Sequence, residues 1–403
     1  MPGTITHFWI FRETLRRLPD RGAIADIKRS NEALETRLRR DHSRWRSHYN
    51  YADYASDSLP ASYGYLGAAG PDLFLAPDDS FDAMGHIDGI ELSDLMHYNK
   101  AGSFIIFLLR RIKRFLFLPR STTSNMRYTL RLAYCIGHIT HIAADVCIHP
   151  LVNTMAGAYH TNTPRQFENS EGGNWIDIFM MHHKIEHYQD SYTRTEFFQN
   201  EARLPADDWE MLAFPRTACL HIDSSAANRF IVRELENFYH YRADTLYGRF
   251  TRDEEGGKMD YFFDASAASN VSFRNYYINI IPSMERMRRE HDAQNRSDLE
   301  TVVQPPVFRS FVAQAIELAA AMAGEAISYL YDDNTYGNAS PEEIDQMYDE
   351  KRRTFRLLRQ AWNLDCGLGF RFEASPDTAS FTAGNKTLHL PLVMRVGGPE
   401  LSG

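Results

Sequence analysis

Cysteine is scarce: four residues in a chain of 403. Two of them, Cys135 and Cys147, fall twelve positions apart in one predicted helix, about 18 Å along its axis, so they cannot bridge each other. No disulfide scaffold is expected, and a reducing compartment is the default. The opening segment MPGTITHFWIF lacks a charged stretch followed by an apolar core and cleavage site, so no Sec-type leader is expected. Long uninterrupted apolar runs are also missing. The nearest, Phe104 to Leu118, is broken by Arg110, Arg111, Lys113 and Arg114, so no membrane span is expected. Positive charge is in deficit, with 44 basic against 53 acidic residues and a net charge of -9. That balance argues against a sequence-blind binder of polyanions, so no nucleic-acid partner is expected. There is no internal repeat and no low-complexity tract.

What is present is a hydrophobic content of 43%, enough for a substantial core, and one unusual segment, Tyr134 to Asn153 (YCIGHITHIAADVCIHPLVN). As a helix it places His138, His141, Asp145 and His149 within an arc of roughly 80°. Ile136, Ile139, Ala143, Val146 and Cys147 cover its other faces. Pro150 is expected to end the helix and leave His149 in its last turn. Polar groups on so apolar a helix need compensation, from hydrogen bonds among the histidines or from a metal. The spacing His141-x3-Asp145-x3-His149 is what a single transition-metal site asks of one helix, with zinc the first choice. His138 is the spare, with a supporting rather than a ligating role.

The remainder reads as mainly α. A helix capped by Thr6 runs to about Leu18, with His7 in its first turn, and a charged, mostly solvated helix follows from Gly22 to about His48. Residues 57–85 read as an irregular loop with Gly70-Pro71-Asp72 as its rigid spot, and Asp78, Asp79 and Asp82 as a solvated acidic turn. After His86 and His97 comes the helix Phe104 to Leu118, whose arginines either snorkel outward or dock on an anionic interface. Residues 160–174 are polar loop. In WIDIFMMHHKIEHYQDSY, His182-x3-Glu186 puts an imidazole and a carboxylate on one face, and His183 and His187 form a second pair on another. Further helices are expected over Ala226 to Tyr247, Ser283 to Gln294, Phe308 to Tyr331 and Pro341 to Trp362. Thr251 to Asn279 is an aromatic-rich insertion, a rim or lid. The domain is expected to span residues 1–362, followed by a short β-rich C-terminal tail over 363–403.

Taken together, THFWIFRETL, GAAGPDLF, HYNKAGSF, THIAADVCIHPLVN and HHKIEHYQD make the first 190 or so residues resemble the bacterial zinc-dependent phospholipase C family. This is an all-α, trinuclear zinc fold that also includes single-strand-specific zinc nucleases. The resemblance implies a metal-ligand set of His7, Asp72, His97, His141, Asp145, His149, His182 and Glu186. It implies that Asp145 bridges two close zinc ions, one also held by Asp72, His97 and His141 and the other by His7. His149, His182 and Glu186 would hold a third. His86 is a rival to His97, which is favoured because HYNKAGSF leads straight into a helix. Two departures stand out. Secreted relatives ligate zinc through an N-terminal tryptophan well ahead of the first histidine, whereas six residues precede His7 here. The histidine after the bridging aspartate is also nearer in sequence.

The implied chemistry is attack on phosphorus by hydroxide formed from a zinc-bound water, the water being oriented or deprotonated by Asp72. The implied substrate is a glycerophospholipid such as phosphatidylcholine at a membrane or micelle surface, split to diacylglycerol and a phosphorylated head group. Two or three Zn2+ ions are expected. A zinc nuclease or nucleotidase of the same fold, or a non-catalytic metal-stabilised helical protein, are the alternatives. Without a cleavable leader the chain reads as cytoplasmic, or as exported by a signal-independent route to act at membranes.

Overall fold

The computed structural model describes residues 3–45, 57–75, 96–97, 101–116, 122–156, 175–204, 214, 303–331, 355–359, 362–364 and 367–368. In chain order these form α1 (Thr4–Arg17), α2 (Ala23–Trp45), α3 (Leu59–Ala69) with a 3-10 turn (Gly70–Leu75), α4 (Ala101–Leu116), α5 (Thr122–Ala156), α6 (Trp175–Tyr192) running into a π-helical turn (Thr193–Glu201), and α7 (Pro305–Tyr331). Two two-residue strands, β1 (Trp362–Asn363) and β2 (Gly367–Leu368), pair antiparallel as a hairpin. The architecture is mainly α, as expected. Of the β-rich tail expected over 363–403, only 363–364 and 367–368 are among the described residues.

The core is built around α5, which packs against α3 and α7 most extensively and against α4, α1, α6 and α2 on its remaining sides. Every side chain from Tyr128 to Val152 is buried. The helix does not stop at Pro150 but continues to Ala156. An internal proline costs a helix roughly 3 kcal/mol, and burial of Val146, Ile148, Leu151 and Val152 on both sides of it offsets that loss. By length and mean hydropathy α5 and α7 could each cross a membrane, contrary to the expectation of no such run. Interspersed polar residues hide that character in the sequence. In the fold the apolar stretch of α5 is wholly buried and that of α7 about half buried, as in core helices.

Residues 59–69 are helix rather than loop. Their glycines are a contact surface: a Cβ on Gly67 would lie 2.1 Å from the Tyr134 carbonyl oxygen, and one on Gly137 of α5 would lie 1.9 Å from the Gly64 carbonyl oxygen. Small residues here let two backbones touch. Gly70 ends α3 with a φ of 50° against the His141 ring and turns the chain so that Asp72 follows at once.

Helix α1 begins at Thr4, two residues before the expected cap, and α2 is less solvated than expected. It buries Ile24, Ile27, Leu34 and Leu38 together with Glu35. Glu35 takes a bidentate pair from Arg12 of α1 (2.7 and 3.2 Å) and a bond from Asn31, which in turn accepts from Tyr65 of α3. In α4, Arg110 and Arg111 are half-buried, as snorkelling predicts, but Lys113 is buried and donates to the Tyr329 carbonyl of α7. The helix expected from Pro341 to Trp362 does not extend that far, since 355–359 is a turn and Trp362 begins β1. The expected elements at 160–174, Ala226–Tyr247, Thr251–Asn279 and Ser283–Gln294 lie outside the described residues, as do His86, Asp78, Asp79 and Asp82.

Candidate metal centre

All eight residues of the expected ligand set are buried, and they converge. His7 comes from the first turn of α1, Asp72 from the 3-10 turn, His97 from the short 96–97 segment before α4, His141, Asp145 and His149 from α5, and His182 and Glu186 from α6. They form three donor groups, the first two sharing His141: His7 with His141 and Asp145, Asp72 with His97 and His141, and His149 with His182 and Glu186.

The first two groups share their carboxylates. Asp145 Oδ1 faces His7 Nε2 at 3.2 Å, while its Oδ2 faces His141 Nε2 at 3.1 Å and His97 Nε2 at 3.4 Å. Asp72 divides itself the same way, Oδ2 lying 3.7 Å from His7 Nε2 and Oδ1 3.3 Å from His97 Nε2 and 3.9 Å from His141 Nε2. His97 and His141 bring their Nε2 atoms within 3.4 Å of each other. Zinc bonds of 2.0–2.1 Å at tetrahedral angles put neighbouring donors about 3.3–3.4 Å apart, so most of these separations fit ligands around a common centre. In the third group His182 Nε2 lies 2.9 Å and His149 Nε2 3.9 Å from Glu186 Oε1.

Tautomers point the same way. His141 Nδ1 donates to the Ala68 carbonyl (3.0 Å) and His149 Nδ1 to the Leu364 carbonyl (2.5 Å), which turns each Nε2 toward its cluster. Among the described residues neither buried Asp145 oxygen has a well-formed hydrogen bond; each faces only imidazole nitrogens. A carboxylate in that position requires positive charge beside it. Burial alone would lower the His97 imidazole, but Asp145 and Asp72 outweigh it and raise the ring to about 10. Burial would likewise raise Asp145, yet the surrounding histidines, His141 first, hold it well below the ordinary carboxylate range. The pocket therefore attracts cations, and its donors are those zinc takes.

His138 is buried, edge-on to Phe104 at 5.6 Å, and among the described residues neither ring nitrogen has a hydrogen-bond partner. Burial and the neighbouring His141 and His97 hold it well below its usual pKa, so it is a neutral packing residue. His183 reaches Glu186 from the other side, its Nδ1 3.1 Å from Oε2, and stacks loosely on His187.

Inspection of the sequence alone missed Asp190. Its buried carboxylate accepts the Ile5 and Thr6 amides (3.1 and 2.8 Å) and the Thr6 hydroxyl (2.8 Å), while Thr6 Oγ1 also meets Thr193 Oγ1. Thr6 therefore does not cap α1; a residue of α6 does so from across the fold. A Cβ on Gly3 would lie 2.1 Å from Asp190 Oδ2, so the entry to α1 is fitted to that carboxylate. The signal was the continuation of a pattern already noted, His182-x3-Glu186-x3-Asp190.

The chain matches the model of the zinc dependent phospholipase C family over residues 6–212, just over half its length. It belongs to that family. No curated protein and no solved structure matches it. The matched stretch of this zinc dependent phospholipase C family member contains all eight converging residues, whereas α7 and the hairpin at 362–368 fall beyond it.

Proposed function

We propose that this member of the family is a phospholipase C that cleaves the phosphodiester of a glycerophospholipid, phosphatidylcholine in the first instance, to diacylglycerol and a phosphorylated head group. The observation that carries the reading is the sharing of two carboxylates, Asp72 and Asp145, between two abutting imidazole groups. That arrangement suits a pair of ions a few Å apart, with the third group beside it, and we assign three zinc ions to the chain. Zinc bound there would supply Lewis acidity toward phosphoryl oxygens and make water a better nucleophile at neutral pH.

The protein's own side chains divide the remaining work. Asp145 is fully buried and holds the two groups in register. Asp72 is the most exposed of the eight, at 8%, and so faces the side from which substrate and water arrive. We assign it the orientation of the attacking water and acceptance of its proton. The third group, His149, His182 and Glu186, would hold a further zinc ion beside the pair, whose charge would be available to the phosphoryl and leaving oxygens. The substrate is presented at a lipid surface, and no nucleic-acid partner is assigned.

The test is hydrolysis of phosphatidylcholine in mixed micelles against cleavage of single-stranded DNA, each with and without a strong chelator, beside a count of zinc per chain. Chelator-sensitive release of phosphocholine with three zinc ions per chain is expected. Cleavage of DNA but not lipid would move the assignment to a nuclease, and full turnover after exhaustive chelation would end the metal reading.

A further inference from the structure

The backbone of one residue beyond the family-matched stretch touches two donor groups at once. Leu364 sits in the turn between β1 and β2, its side chain fully buried. Its N–H donates to the His97 carbonyl at 3.2 Å, and its carbonyl accepts His149 Nδ1–H at 2.5 Å. The first contact fixes the backbone that presents His97 to Asp72 and Asp145. The second sets the ring rotation and tautomer by which His149 turns Nε2 to Glu186. The hairpin lies against α5 and α4, and just ahead of it Phe355 and Leu358 are buried, Phe355 with its ring 4.8 Å from that of Tyr329. Glu325 of α7 fastens that turn, its carboxylate accepting the Leu357 amide at 2.8 Å and the Leu358 amide at 3.2 Å.

We propose that the turn at 355–359 and the β1–β2 pair are a positioning element of the metal centre, fastened to α7 by Glu325 and acting through the Leu364 backbone on His97 and His149. The inference rests on the metal reading above. It adds that residues 6–212 do not complete the site: both donor groups depend on main-chain contacts supplied by a segment outside that range. Partners that orient a ligating histidine are worth roughly 10- to 100-fold in metal affinity, and Leu364 contacts one histidine of each group.

The experiment uses the full chain and reads zinc, not turnover. Zinc per chain after dialysis and zinc affinity by competition with a chromogenic chelator are measured for wild type, Glu325→Ala, Glu325→Gln and Leu364→Pro. A fifth variant, Ile316→Ala, empties a buried site elsewhere on α7 and controls for general destabilisation. Expected is a 10- to 100-fold weaker zinc affinity in Glu325→Ala and Leu364→Pro, near wild-type affinity in Glu325→Gln, which keeps an acceptor, and unchanged affinity in Ile316→Ala despite its lower melting temperature. Wild-type affinity in Glu325→Ala would overturn the proposal, as would equal loss of zinc in Ile316→Ala. A wild-type chain that binds no zinc would instead overturn the underlying metal assignment.

Discussion

Replacing Asp190 by alanine isolates what holds His7 in place. Three donors converge on this carboxylate: the Ile5 and Thr6 amides and the Thr6 hydroxyl. A buried amide left without an acceptor costs about 1–3 kcal/mol, so two suggest about 2–6 kcal/mol. Relief from burying a carboxylate reduces this, giving a net loss of about 2–3 kcal/mol, above the roughly 1 kcal/mol usual for a helix cap. Because His7 is the residue after Thr6, a loosened first turn also displaces its Nε2 from Asp145. Urea unfolding and zinc analysis should show both losses together, with one zinc missing and the His149 group still loaded. Asp190→Asn keeps one acceptor and should fall between. The pH dependence has a definite sign. Burial pushes Asp190 up to about 7 against the pull of the Thr6 and Ile5 hydrogen bonds. For a raised carboxyl, the stability contribution is complete below the unfolded value near 3.8 and is lost as pH rises through about 7. In metal-free protein, the advantage of wild type over Asp190→Asn should therefore shrink between pH 5 and pH 8. An alanine variant that keeps all its zinc and unfolds within about 0.5 kcal/mol of wild type would refute this reasoning.

Asp145→Asn should remove zinc from the paired groups while sparing the His149 group, and should depress lipid hydrolysis by at least roughly 10²–10³-fold, the scale of losing one charge-stabilising group; zinc analysis and phosphocholine release check both. Gly137→Ala drives a methyl group into the α3 backbone and should cost about 1–3 kcal/mol or more in urea unfolding. His138→Phe should leave the zinc content unchanged and stability level or improved, because an apolar ring replaces two buried nitrogens without hydrogen bonds; a loss of zinc would make His138 a ligand.

Where a local spacing rule governs, the sequence was informative. His141, Asp145 and His149 at helical intervals marked α5, and the remaining five donors followed by resemblance to the positions where the fold brings them. Misreadings arose where a tertiary contact reverses a local preference. Glycines at 64 and 67 usually signal loop, yet here Gly64 makes room for the Phe11 ring, and Gly67 with Gly137 lets the α3 and α5 backbones touch. Pro150 ordinarily ends a helix, but the apolar residues around it are buried on every side. Thr6 looks like a cap because its true partner lies 184 residues away. Main-chain contacts such as those of Leu364 leave no trace in residue type, so no pattern search could have found them.

The unbroken course of α5 through Pro150 makes it a ruler. Asp145 and His149 stand one turn apart on the same rod, about 6 Å in axial rise, so the interval between the paired groups and the third is set by helix pitch. No hinge lies between them, and widening the gap would mean melting the most deeply enclosed segment of the molecule. Any metal ions that these groups hold would inherit that interval.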